Sequence, residues 1–198
     1  WEHPTITHYC LEPFETTYYR DADVQEALTN IEHSIDLSHI KRNKSNSGQA
    51  GGLLIKEMPY QVGTHFPLLA LLTHAPIVFL IRDPRLNIAS RMQKRIEAGQ
   101  HPAFPFIETG WELLQKHIDW CVAHSKPYCI VDSTQFRQRP EAVLGTLFNR
   151  LGLGFEKQLL EWSESPHVPL DNLGGQHDHL YRRVLNSTQM ESPSEPKQ

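Results

Sequence analysis

Along this chain, short unbroken apolar runs end abruptly in charged or polar residues. Leu53-Leu54-Ile55 meets Lys56-Glu57, residues 77–81 meet Arg82-Asp83-Pro84, and residues 128–131 meet Asp132-Ser133. A weaker run over residues 6–11 meets Glu12-Pro13-Phe14. Four or five apolar residues without alternation suit strands covered on both faces, the habit of a parallel sheet. Helical stretches separate the runs. Asp83 is placed to cap a helix with Pro84 at its first position, and Ala89, Met92 and Ile96 then form one apolar face as far as Gly99. Residues 107–124 read as a second helix with Trp111, Leu114, Ile118 and Cys121 or Val122 on its stripe. Residues 140–151 read as a third, opened by Pro140 and closed by Gly152, and residues 24–31 as a shorter one. Strand and helix alternate, so the expected class is α/β, a three-layer sandwich around a mostly parallel central sheet.

Composition narrows the function. The chain has 198 residues, enough for one domain, with 19 Lys and Arg against 23 Asp and Glu and a net charge of −4. That balance argues against nucleic acid as a partner, since bulk phosphate binding needs a basic surface. The apolar runs are too short to cross a bilayer, so no membrane partner is expected. Cys10, Cys121 and Cys129 are odd in number and lack CxxC spacing, which disfavours a disulfide scaffold or a cysteine zinc site. Among the 12 histidines, His177 and His179 flank Asp178, but no third ligand stands at a zinc-site spacing. A metal is therefore not expected. The chain opens on Trp1 rather than Met, so native residues are expected upstream; with no signal peptide in sight, a cytoplasmic location is expected. Residues 1–186 are expected to form a single domain and residues 187–198, rich in Ser, Pro, Glu and Gln, a disordered tail.

In open parallel sheets, ligands bind beyond the carboxyl ends of the strands. Glu12, Lys56, Glu57, Arg82, Asp83, Asp132 and Ser133 all fall there. Arg82 ends one strand and Ser90 lies eight residues on, about two turns into the next helix. A phosphate beside that helix could take a guanidinium fork from Arg82 and a hydroxyl from Ser90. On spacing alone the plainer reading is a structural ion pair between Arg82 and Asp83, with Ser90 a small surface residue. Arg91, Lys94 and Arg95 add a basic helix face that could touch phosphates or simply face solvent. His65 and His74 lie between Lys56 and Arg82, more naturally on helix surfaces than in a site.

A strand ending in Arg82-Asp83-Pro84, then Ser90, resembles the 3′-phosphate-binding motif of sulfotransferases. Other segments follow in the order of one soluble branch of that family: Glu12-Pro13-Phe14, Leu54-Ile55-Lys56-Glu57-Met58, Val131-Asp132-Ser133, Pro140-Glu141-Ala142-Val143-Leu144, Arg150-Leu151-Gly152-Leu153, and a closing segment from His179 to Thr188. The likeness spans residues 6–188 and implies a P-loop-like α/β fold using 3′-phosphoadenosine 5′-phosphosulfate, without a metal. It implies that Arg82 and Ser90 hold the 3′-phosphate and that Lys56 meets charge on the sulfuryl group passing to a hydroxyl or amine of a small acceptor. The base is open between Glu57 and Glu12, because some relatives carry His where this chain has Tyr60 and Gln61. The family's 5′-phosphosulfate loop should precede Glu12, and nothing from Trp1 to Cys10 resembles it. Either the loop lies upstream of Trp1, or the chain is an inactive relative that acts as a binding module. A small-molecule phosphotransferase of similar architecture is a further alternative, for which Asp132 would be a magnesium-ligating carboxylate. Acceptor identity and oligomeric state are not encoded in these motifs.

Overall fold

A computed structural model describes residues 6–9, 52–164 and 185–190. The chain divides into two compact units: residues 1–72 with 110–117, and residues 73–109 with 118–198.

In the first unit, β1 (Ile6–Tyr9) pairs in parallel with β2 (Gly52–Ile55), in register from Ile6 beside Gly52 to Tyr9 beside Ile55. Both strands arise from the anticipated apolar runs. After β2 come α1 (Pro59–Val62), a 3-10 turn (Gly63–His65) and α2 (Phe66–Leu71). The sequence placed His65 and His74 on helix surfaces in this region without marking where a helix begins or ends; His65 falls in the 3-10 turn and His74 in a bend. Pro59, Gly63 and Pro67 interrupt the segment every four residues, so no apolar period of helical length develops. The burial that organises them is nonetheless helical, with Val62, Phe66 and Ala70 all below a tenth exposed.

His117 joins this core. Its Nε2–H donates to the Gly63 carbonyl at 2.7 Å, and its ring stacks on Phe66 with centroids 4.3 Å apart and planes 9° from parallel. Gly63 takes φ +53° and ψ −126°, a conformation that side chains bearing a Cβ avoid, and its carbonyl meets the imidazole. Burial lowers the His117 pKa, only partly offset by the bond to Gly63.

The second unit contains β3 (Ile77–Ile81) and β4 (Tyr128–Asp132), again parallel, with Ile77 beside Tyr128 and Ile81 beside Asp132. Parallel strands need a long crossover, supplied by α3 (Pro84–Glu97), a 3-10 turn (Phe106–Thr109) and α4 (Trp111–Ala123). The anticipated helix over 107–124 is therefore split. Gly110, at φ +73°, turns the chain between the 3-10 turn and α4, and its carbonyl accepts the first helical bond from Leu114 N at 2.8 Å. Residues of α4 through His117 belong to the first unit and the remainder to the second. Its buried stripe is Leu114, His117 and Cys121. Val122, one of the expected members, is 62% exposed.

After β4 the chain forms α5 (Ser133–Gln138), α6 (Pro140–Arg150) and a 3-10 turn (Lys157–Leu160). Helix α6 matches the anticipated span and ends before Gly152, while Phe148 meets Phe155 edge-on at 5.8 Å. At the other end of β3, Ile77 N bonds Pro127 O at 3.0 Å, and Lys126 Nζ donates to the Thr73 carbonyl. Residues 187–190, placed by composition in the polar tail, carry backbone pairing: Trp162 N donates to Thr188 O at 2.9 Å and Glu161 bridges Gln189. The expected helix over 24–31 and the rest of the tail lie outside the described residues.

The parallel class is as anticipated, but full cover on both strand faces is not. Neighbours in a parallel register point to the same face. Cys129 and Val131 are buried, yet their neighbours Val78 and Leu80 are 40% and 61% exposed. Phe79 is buried beside Ile130 at 49%. Each face is thus covered over one strand and open over the other. Cys129 is a buried core residue, as its strand position implied.

The segment between α3 and α4 is clipped by arginines. Arg91 donates to the Glu108 carboxylate and to the Glu108 carbonyl, and its guanidinium lies 4.7 Å from the Phe104 ring centroid. Arg95 Nε donates to the His101 carbonyl at 2.7 Å.

Two outcomes follow from these contacts. Because the folded-state pKa of His117 lies below its ordinary 6.5, the stability it contributes is complete above about pH 6.5 and declines as pH falls. Thermal melts from pH 7.5 to 5 should show Tm dropping in the wild type. The slope should flatten in His117→Gln, which retains a donor for Gly63; equal slopes would remove His117 from the account. Separately, Arg91→Gln should cost about 1–2 kcal/mol, a Tm loss of roughly 2–8 °C, because it leaves a mostly buried carboxylate without its charged donor. An unchanged melt would show the clip to be passive.

Candidate functional site

Elementary geometry explains why chemistry gathers at the carboxyl ends of β3 and β4. Each strand must hand the chain to a helix whose first N–H groups need acceptors. Both strands solve this with aspartate. Asp83 Oδ1 accepts from Arg85 N at 2.8 Å and caps the 14-residue α3, with Pro84 in the first turn. Asp132 Oδ1 accepts from Gln135 N at 2.8 Å and caps α5. The register sets Ile81 beside Asp132, so the two caps stand on adjacent strand ends. The Asp132 carboxylate is therefore partly committed to its helix, which is not the role that a phosphotransferase would ask of it.

Arg82 follows β3 directly and is half-buried. The plain reading of an Arg82–Asp83 ion pair is overturned by the structure. Asp83 is taken instead by Arg85, whose Nε reaches Oδ1 at 3.1 Å and Nη2 reaches Oδ2 at 2.7 Å. A two-point fork and a backbone bond from one residue outcompete a neighbour that leaves the strand before the helix begins. The bonds from Arg85 hold the Asp83 carboxyl down at a pKa of about 2. Among the described residues, Arg82 has no ion-pair or hydrogen-bond partner.

Ser90 is half-buried in α3, two turns beyond Asp83. Arg82, Asp83, Ser90, Asp132 and Ser133 therefore belong to the second unit. Lys56 and Glu57 follow β2 in the first unit, Lys56 exposed and Glu57 half-buried, and both make interactions of their own. Glu12 lies outside the described residues, as do His177 and His179. Arg91, one candidate for phosphate contact, is engaged by Glu108, and Arg95 bonds the His101 carbonyl. His65 sits half-buried in the 3-10 turn and His74 is exposed. Trp111 and Trp162 bury indole nitrogens that have no hydrogen-bond partner among the described residues, while Trp120 stacks on His124 at 4.2 Å.

The residue that sequence reasoning overlooked is Arg85. Its signal was present in Arg82-Asp83-Pro84-Arg85, where two arginines flank one carboxylate and only the second stands on the helix that the carboxylate caps. Chemically, the arrangement offers an anion a guanidinium that has no partner among the described residues, a hydroxyl two turns along, and the positive end of a long helix. Among the described residues, no group of three or more His, Cys, Asp and Glu side chains could hold a metal ion, and no helix is long and apolar enough to cross a membrane.

No family model matches the chain. A solved sulfotransferase domain from the curacin biosynthetic pathway is similar at 19% identity, over 87% of this chain and 61% of that one, with a TM-score of 0.43. The branched-chain-amino-acid aminotransferase-like protein 2 of Arabidopsis thaliana is 33% identical over 115 residues, which is 58% of this chain. The match spans 19% of that protein's length.

Proposed function

We propose that the chain is a sulfotransferase domain over residues 1–186, passing a sulfuryl group from 3′-phosphoadenosine 5′-phosphosulfate to a hydroxyl or amine of a small acceptor. The observation that carries this reading is the Arg82 guanidinium at the end of β3, without a partner among the described residues, beside a carboxylate already taken by Arg85. A guanidinium that no carboxylate engages is open to an incoming phosphate, which it can meet with two parallel N–H donors. The order of the sequence segments from Glu12 to Thr188 supports the identity of that anion.

In this reading Arg82 and Ser90 hold the nucleotide's 3′-phosphate beside the first two turns of α3. The nucleotide supplies an activated sulfuryl group, and the protein's share is position and charge. Lys56, at the end of β2, meets negative charge that develops on the transferring oxygens. Glu57 or Glu12 takes the acceptor's proton.

The test is calorimetric titration of the 198-residue chain with 3′-phosphoadenosine 5′-phosphate. Arg82→Ala should weaken binding about tenfold or more, the worth of a charge-assisted bond, and Ser90→Ala about two- to tenfold. Adenosine 5′-phosphate, which lacks the 3′-phosphate, should bind wild type and Arg82→Ala alike. Equal affinity of the two proteins for the bisphosphate would overturn the reading.

A further inference from the structure

Arg82-Asp83-Pro84-Arg85 sets one carboxylate between two guanidinium groups. If Asp83 paired with Arg82, the strand-end cation would be neutralised and an incoming anion would have to break that pair. The structure gives Asp83 to Arg85 instead. Pro84 restricts the backbone at the first turn of α3, and Arg85 then stands where both its N–H and its side chain reach back to the cap. Oδ1 accepts from Arg85 N at 2.8 Å and Nε at 3.1 Å, and Oδ2 accepts from Nη2 at 2.7 Å. Both carboxylate oxygens are engaged, and the negative charge beside the helix start is matched by the Arg85 cation.

We propose that Arg85 is a positioning residue for the anion site: by holding both oxygens of Asp83, it keeps Arg82 out of an internal ion pair and ready for phosphate. The inference rests on the reading of Arg82 as a phosphate ligand. Arg85 itself is largely exposed and does its work through Asp83. Removing Arg85 alone leaves an uncompensated carboxylate that competes with phosphate for Arg82. Removing Asp83 and Arg85 together takes away the competitor with its guard.

Four proteins are compared in calorimetric titrations with 3′-phosphoadenosine 5′-phosphate: wild type, Arg82→Ala, Arg85→Gln and the double variant Asp83→Asn, Arg85→Gln. Asn is itself a good helix cap, so the double variant preserves the start of α3. Arg85→Gln should raise Kd about threefold, the scale of an exposed ion pair, and the double variant should return it close to wild type. The nitrogen-15 resonance of Arg82 Nε should shift in ligand-free Arg85→Gln and revert in the double variant. A purely structural role for Arg85 would leave that resonance in place. If Arg82→Ala loses binding while Arg85→Gln binds as wild type, Arg85 has no positioning role and the reading of Arg82 stands. A double variant that stays as weak as Arg85→Gln means that Arg85 acts on the ligand directly, which also overturns the inference. If Arg82→Ala binds as wild type, the reading of Arg82 fails, and the inference with it.

Discussion

A parallel strand cannot turn straight back, so each must pass the chain to a crossover at its carboxyl end, and the first N–H groups of the helix that follows need acceptors. In the second unit Asp83 and Asp132 supply them, and the pairing of Ile81 with Asp132 sets the two strand ends side by side. Much of what is chemical about this unit depends on that arrangement. It draws two carboxylates, the start of a 14-residue helix and Arg82 to the same edge.

What makes the edge more than a set of caps is the way charge is divided. Asp83 has two arginines within reach along the chain and is bonded to one. The choice follows from backbone geometry. Arg85 lies on the helix that Asp83 caps and brings an amide and a side chain to the same carboxylate, whereas Arg82 is still leaving the strand. The result is a neutralised pair on the surface and a guanidinium with nothing to neutralise it among the described residues.

The first unit shows a different use of polar chemistry. His117 lies where an apolar residue would ordinarily complete the stripe of α4, and it is accommodated because Gly63 turns a carbonyl toward Nε2 while Phe66 covers the ring. A buried polar side chain with a satisfied donor specifies its surroundings more sharply than a methyl group would. The cost is sensitivity to acid.

All four described strands fall where the apolar runs stand, the weaker run over residues 6–11 included, because consecutive aliphatic side chains are the local mark of a strand. The cap at Asp83 with Pro84, and the span of α6 between Pro140 and Gly152, were equally legible, since helix ends are decided by local hydrogen bonding and backbone sterics. The sequence also placed Arg82 at a strand end and Ser90 two turns along a helix. Other features depended on residues far apart in the chain or on competition between near neighbours. The segment holding α1 and α2 is tied to His117, more than 50 residues away, through Gly63 and Phe66, and nothing local in the sequence foretells that meeting. Arg91 meets Glu108 and Phe104 for the same reason. The partner of Asp83 was local in sequence yet undecided there, because two guanidinium groups competed for one carboxylate. Sequence alone determined which groups stood at the strand ends; the three-dimensional path of the backbone decided which arginine was spent on Asp83 and which was left for a ligand.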